Sequence, residues 1–211
     1  MSISKLRVEY GLTSLDEFEV AADPIDQFRQ WLDFAISLDL PEPNAMTLAT
    51  STADGRPSAR VVLLKGVDAR GFMFATNRRS RKGRDLAENA FASLVFFYPT
   101  LERQVRVEGR VELTSDEESD AYFQSRPVGA KIGAWASHQS EVVADRSILE
   151  DRYRELESQF SDREIPRPPH WGGYRVVPDV IEFWQGRANR LHDRLRYRKV
   201  EDRWIIERLE P

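Results

Sequence analysis

The stretch Gln104-Val105-Arg106-Val107-Glu108-Gly109-Arg110-Val111-Glu112-Leu113 alternates polar and apolar residues along most of its length. Successive side chains of a strand point to opposite faces. Val105, Val107, Val111 and Leu113 therefore share one face, and Gln104, Arg106, Glu108 and Arg110 the other. Just upstream, Phe91–Tyr98 reads as an apolar strand, and Pro99-Thr100 begins the turn between the two. Further upstream, Ala45–Thr52 and Ser58–Lys65 read as strands about a tight turn at Asp54-Gly55, with Gly71–Thr76 as a third. Downstream, Gly172–Val177, Val180–Gln185 and Leu191–Val200 read as strands, with Arg203–Leu209 as a last partner. Helical signals interrupt this pattern. Asp23-Pro24 is an N-cap followed by proline, ahead of Ile25, Phe28, Leu32, Ala35 and Ile36 at helical spacing. Ser80 caps a short helix reaching Asn89. Ser115–Ser125 opens with acids and stops at Arg126-Pro127. Asp145–Phe160 sets Ile148, Leu149, Tyr153, Leu156 and Phe160 on one side. Many short strands with a few helices predict a mainly β fold, an antiparallel barrel decorated with helices. No linker composition divides residues 1–211, so one domain is expected.

The chain has 211 residues with 41% hydrophobic and 31% charged residues, the balance of a folded globular protein. It carries no cysteine, which excludes disulfides, thiolate chemistry and cysteine zinc sites. Met1–Leu12 carries charges where a signal peptide needs an apolar run, and the longest apolar runs fall far short of the ~20 residues of a membrane span. A cytoplasmic location is expected, with no membrane partner. The formal net charge of −4 argues against a nucleic-acid partner. Yet Arg60–Arg110 holds eleven Lys/Arg against five Asp/Glu, and Arg187, Arg190, Arg194, Arg196 and Arg198 form a second basic knot. Two basic knots on an acidic chain suggest small anions held in pockets; solvated faces are the bland alternative.

Three constellations could carry chemistry. Arg60-Val61-Val62-Leu63-Leu64-Lys65 brackets an apolar strand with cations. On a regular strand Arg60 and Lys65 lie on opposite faces and could reach two anions. Thr76-Asn77-Arg78-Arg79-Ser80-Arg81-Lys82-Gly83-Arg84 is a basic loop entering a helix. Free N–H groups there, with a hydroxyl and cationic side chains, suit a phosphate; a solvated loop is the alternative. In Arg190-Leu191-His192-Asp193-Arg194, a strand would point Arg190, His192 and Arg194 the same way, toward an anion or into solvent. Other site classes fare poorly. His138, His170 and His192 lack metal-ligand spacing, so no metal is expected, and no GxSxG, P-loop or GxGxxG sequence occurs. Redox chemistry would need an organic cofactor, and the basic knots suggest a phosphorylated one.

At these residues the sequence resembles the pyridoxamine/pyridoxine 5′-phosphate oxidases over nearly its whole length. Further markers are Leu101-Glu102-Arg103-Gln104-Val105, Ser125-Arg126-Pro127, Ile132-Gly133-Ala134-Trp135, Trp171-Gly172-Gly173 and Glu182-Phe183-Trp184-Gln185-Gly186. The resemblance implies an FMN-binding split barrel working as a homodimer, with two flavins at the subunit interface. It implies oxidation of pyridoxine 5′-phosphate or pyridoxamine 5′-phosphate to pyridoxal 5′-phosphate. O2 is the electron acceptor, H2O2 the product, and NH3 is released from the amine. Carried over residue by residue, the flavin site comprises Arg60, Val61, Val62, Leu63, Leu64, Lys65, Ala75, Thr76, Arg81, Lys82, Gln104, Gln139, Ser140, Trp184 and Arg194. The substrate site comprises Arg7, Val8, Glu9, Tyr10, Lys65, Tyr122, Arg126, Ala130, Arg190, Leu191 and His192. Arg60, Arg81 and Lys82 suit the flavin phosphate, and Lys65, Tyr122 and Arg126 the substrate phosphate. Arg190 and His192 lie over the pyridine ring as the catalytic pair. Residues 1–22 form a flexible segment that folds over the substrate. Ala130, Ala75 and Val8 stand where the family commonly has serine, tyrosine and arginine. Two alternatives stay open beside this reading: a phenazine-type flavin oxidase, and a non-catalytic protein that binds FMN or pyridoxal phosphate.

Overall fold

The computed structural model describes residue 3 and residues 8–211. Helix α1 (Pro24–Ser37) starts where Asp23 accepts a hydrogen bond from the Ile25 amide at 2.7 Å. The sheet follows: β1 (Ala45–Ser51), β2 (Pro57–Leu63), β3 (Gly66–Asp68), β4 (Gly71–Asn77), then α2 (Arg81–Glu88), β5 (Phe91–Tyr98) and β6 (Arg103–Leu113). Three helices come next, α3 (Asp116–Gln124), α4 (Val128–Ala136) and α5 (Arg146–Gln159). β7 (Trp171–Gln185), β8 (Asp193–Val200) and β9 (Arg203–Arg208) close the chain. Every pairing is antiparallel, in the order β2-β1-β5-β6-β7-β4-β3, and β8 and β9 extend from β7. β7 pairs with β6 along its length, with β4 over Trp171–Val176 and with β8 over Val180–Gln185. This shared strand makes the sheet curl into a half-barrel, as the fold class predicts.

The core fills that curl. Val105 and Val107 of β6 are fully buried beside Leu48, Leu94, Phe96, Phe183 and Leu195, and α1 caps them with Phe28, whose ring lies 4.7 Å from Phe96 and 4.8 Å from Phe72. A smaller cluster of Phe123, Ile132, Ile165 and Trp171 underlies α3–α5. The buried Arg175 of β7 pairs with Asp68 at 2.6 Å and Glu118 at 2.8 Å, so it ties the start of α3 to the sheet. Ser115 and Glu118 complete a reciprocal cap at that end.

Several expectations need correction. Gly172–Val177 and Val180–Gln185 are one strand, with Pro178 inside it. Pro178 faces Gly109 while Val180 faces Glu108, which leaves Asp179 as the extra residue of a bulge. A bulge tolerates the missing N–H. Leu113 shares the parity of Val111 but is exposed at the strand end. α4 carried no helix signal, because Pro127 offers no side-chain cap and Gly129 and Gly133 lie inside it. Ile148 and Leu149 of α5 are exposed, whereas Tyr153, Leu156 and Phe160 pack on the smaller cluster. The last strand pair begins at Asp193, not Leu191. Among the described residues no helix is long and apolar enough to cross a membrane.

Candidate active site

A cavity of about 740 Å³ opens between β2 and β4, which come from opposite ends of the sheet order, the start of α2 and the faces of α3 and α4. Arg60, Val61, Val62 and Leu63 line one wall, with Lys65, Ala75, Thr76 and Lys82. Tyr122, Arg126, Ala130 and Gln139 line the other. These residues come from distant parts of the chain. β2 ends at Leu63, and the Lys65 amide instead donates to the Met73 carbonyl at 2.8 Å. The strand parity that would set Arg60 and Lys65 on opposite faces therefore lapses, and both line the one cavity. Leu64 departs from the prediction: its side chain is buried in the core and does not line the cavity.

The cations at the two ends differ in their partners. Lys82 is buried, and among the described residues its ammonium has only neutral oxygens around it: Thr76 Oγ1 at 3.3 Å, Ser80 Oγ at 3.4 Å and Gln139 Oε1 at 3.4 Å. Burial pushes its pKa down, and neighbouring Arg60 adds to that. Arg60 donates to Leu48 O, Thr50 Oγ1 and Ser58 Oγ, with Asp85 3.7 Å away. Burial also lowers the Arg60 pKa, Asp85 opposes the shift and Arg81 adds to it, so Arg81 acts on the same corner although it does not line the cavity. With Lys82 and Arg60 set against the single carboxylate of Asp85, the corner keeps a positive charge and has room for an anion.

At the far wall the Arg126 guanidinium lies 4.8 Å from the Trp171 ring and 5.7 Å from the Phe123 ring. Its Nη1 is buried with no hydrogen-bond partner among the described residues. Burial lowers its pKa. Glu118, the carboxylate that could have neutralised a helix-end arginine, is instead bound by Arg70 and Arg175. Tyr122 stacks on Trp171 at 5.9 Å, and Lys65 Nζ lies 5.7 Å from the Tyr122 ring. Lys65, Tyr122 and Arg126 thus meet, as expected, with Ala130 beside them.

Other predicted residues lie elsewhere. Val8, Glu9, Tyr10, Arg190 and His192 line a second cavity of about 540 Å³, with Arg187 and Asn189. Tyr10 meets Trp184 edge-on at 5.7 Å, and Trp184 lies 4.7 Å from His192. Glu102 Oε2 accepts the Gly11 and Leu12 amides at 2.8 and 3.1 Å and fastens this segment down. Arg7 lies outside the described residues. Arg190 and His192 do not share a strand face with Arg194, because Asn189 and Arg190 are left-handed, at φ 58° and 62°, in a 3-10 turn before β8. Leu191 is exposed and outside this cavity. His192 Nδ1 accepts the Arg187 amide at 3.1 Å, so the neutral ring carries its proton on Nε2. Burial, then Arg190, hold its pKa below the usual histidine range. Gln104 pairs with Trp184 across β6 and β7. Arg194 is bound by Glu182 at 2.8 Å, which raises its pKa. Ser140, at φ 72°, lines a neighbouring hollow and not the main cavity. One protomer therefore does not bring the two sets together. The sequence reading also missed Asn77, Ser137 and Trp171 as cavity walls. Trp171 stood in a quoted motif, but nothing local signalled its role.

Residues 33–160 match the family model described as pyridoxamine 5′-phosphate oxidase, and residues 171–211 match the pyridoxine 5′-phosphate oxidase C-terminal dimerisation region. A pyridoxine/pyridoxamine 5′-phosphate oxidase of Acaryochloris marina is 59% identical over 210 residues, covering 100% of this chain and 96% of that one. The crystal structure of PhzG from Burkholderia lata, in complex with tetrahydrophenazine-1-carboxylic acid, superposes with a TM-score of 0.90 at 34% identity, covering 96% of this chain and 100% of that one. A pyridoxamine 5′-phosphate oxidase-related, FMN binding protein of Nostoc punctiforme shares the fold, with a TM-score of 0.70 at 19% identity over 87% of this chain and 97% of that one. Since its cavity-bearing part and its C-terminal strands both match, this chain belongs to the pyridoxine/pyridoxamine 5′-phosphate oxidase family.

Proposed function

We propose that this chain is an FMN-dependent oxidase that converts pyridoxine 5′-phosphate or pyridoxamine 5′-phosphate to pyridoxal 5′-phosphate. The alcohol reaction consumes O2 and yields H2O2; the amine reaction also consumes water and releases NH3. The observation that carries this reading is the pair of separate cationic corners in one cavity, Arg60 with Lys82 and Lys65 with Arg126. Two phosphates, one on the cofactor and one on the substrate, account for both. The buried, unpartnered Arg126 Nη1 fits such an anion. Arg60, Arg81 and Lys82 hold the flavin phosphate, with Thr76 and Gln139 beside Lys82. When bound, the flavin supplies the two-electron chemistry that no side chain here offers.

The chain's own part is placement. Lys65, Tyr122 and Arg126 grip the substrate phosphate. Arg190 and His192 orient the ring, His192 as a neutral donor through Nε2. Tyr10 covers that face. Because one protomer separates Arg190 and His192 from Arg126, the partner of a homodimer supplies them, along with Trp184 and Arg194. Exposed Phe91 and Phe97 on β5 and the matched dimerisation region support that assembly. Residues 1–211 act as one domain in this scheme.

The test is to add pyridoxine 5′-phosphate to the flavin-loaded protein under anaerobic conditions. Bleaching of the flavin absorbance supports the oxidase; an unchanged spectrum refutes it. The likeness to PhzG favours a second reading, oxidation of a tricyclic carboxylic acid. Bleaching by tetrahydrophenazine-1-carboxylic acid, with none by pyridoxine 5′-phosphate, would select that reading.

A further inference from the structure

Behind the Arg60 corner lies a buried acid that the scheme above leaves unused. Asp85 is on α2, three residues after Lys82, and is only 4% exposed. Its Oδ2 accepts a hydrogen bond from Thr50 Oγ1 at 2.7 Å and lies 3.7 Å from Arg60 Nη2. Thr50, on β1 and also 4% exposed, accepts in turn from Arg60 Nη1 at 2.7 Å. A hydroxyl has one proton and two lone pairs. With its proton committed to Asp85, the Thr50 oxygen faces the guanidinium as an acceptor. Ser58 Oγ and Leu48 O fix the same guanidinium from either side.

We propose that Asp85, acting through Thr50, is a positioning residue that aims Arg60 at the phosphate of the flavin. The inference rests on the flavin-phosphate role given to Arg60 above. Two effects of Asp85 oppose each other. Its charge repels a phosphate dianion, so a carboxylate here weakens the site if charge alone matters. Its hydrogen-bonded chain also holds Arg60 in one orientation, so the guanidinium meets the phosphate without first being ordered. Arg60 is 20% exposed at its side chain and free to swing if the chain of contacts is cut. The geometry favours orientation, because the hydroxyl joins the two residues directly while the carboxylate stands 3.7 Å back.

The experiment titrates FMN and riboflavin, which lacks the phosphate, into the full-length chain stripped of flavin, reading quenching of flavin fluorescence. Asp85→Asn and Thr50→Val should each weaken FMN about tenfold, a loss of about 1.4 kcal/mol, and change riboflavin less than about twofold. Thr50→Ser, which keeps the hydroxyl, should retain wild-type FMN affinity. Equal weakening of both flavins would mean a merely structural role and overturn the proposal. Tighter FMN binding by Asp85→Asn would overturn it too, since charge would then dominate. If the wild-type chain fails to prefer FMN over riboflavin, the reading of Arg60 itself falls, and this inference with it.

Discussion

Replacing Arg126 by alanine separates a substrate anchor from a helix-end ornament. In the protein without substrate, Arg126 has no carboxylate partner, and Nη1 has no hydrogen bond among the described residues. Truncation therefore leaves no buried acid orphaned. What it removes is the guanidinium's contact with Trp171 at 4.8 Å and Phe123 at 5.7 Å. Such cation–π contacts are worth roughly 0.5–1 kcal/mol at exposed sites, and loss of the buried donor's desolvation cost offsets part of that. The stability change should be small. Substrate binding loses more. A charge-assisted hydrogen bond contributes about 1.5–3 kcal/mol, so the Michaelis constant for pyridoxine 5′-phosphate should rise at least about tenfold. Lys65 remains, so binding weakens without vanishing. Flavin content should match wild type, because the corner proposed for the flavin phosphate, Arg60 with Lys82, is a separate one. Steady-state kinetics with flavin absorbance and thermal unfolding in parallel decide the matter. An unchanged Michaelis constant with a lowered melting temperature would refute the reasoning. Arg126→Lys should recover part of the loss, since it keeps the charge but not the planar fork.

Three further outcomes follow from the same geometry. Lys82→Met should weaken FMN by about 1.5–3 kcal/mol in a fluorescence titration, yet leave the flavin-free protein as stable as wild type or more so, because the buried ammonium has no counter-charge among the described residues. His170 and His192 both have pKa values pushed below the ordinary 6.5, chiefly by burial. The unfolded chain then binds more protons just below that pH, so denaturant stability is complete above pH 6.5 and falls as pH drops through the folded-state values; a flat profile from pH 7 to 5.5 would contradict this. Gly109→Ala should destabilise by about 1–3 kcal/mol in the same assay, since its Cβ would sit 2.0 Å from the Val177 carbonyl oxygen and 2.8 Å from Pro178 Cα.

The parts of the fold that were legible had local causes. Alternation marked β6, a side-chain cap marked α1 and α2, and acids in the first turn marked α3. The parts that were not had distant ones. Pro178 breaks a strand by every local rule, but Gly109, far away in sequence, makes the bulge that admits it. Period-two counting set Arg60 and Lys65 apart because it could not see β2 end at Leu63 and the chain turn toward β4. Likewise Asn189 and Arg190, two non-glycine residues at positive φ, take Arg190 and His192 off the strand that their spacing implied. Many residues that line the two cavities were named through the resemblance, while the partner of each charge was not. Only the folded chain shows Glu118 already taken and Arg126 Nη1 without a hydrogen bond among the described residues.

β7 runs unbroken from Trp171, in the wall of the first cavity, to Gln185, beside the turn that carries Arg190 and His192. Its 15 residues span roughly 45 Å along the strand, far more than a substituted pyridine ring can bridge. In the proposed homodimer each subunit then owns two incomplete halves, each completed by the other copy. This makes complementation possible between two impaired proteins. A subunit lacking Arg126 and one lacking His192, unfolded together and reassembled, form mixed dimers in which one site inherits both defects and the other neither. If assembly is random, half of the dimers are mixed and about a quarter of all sites regain wild-type composition.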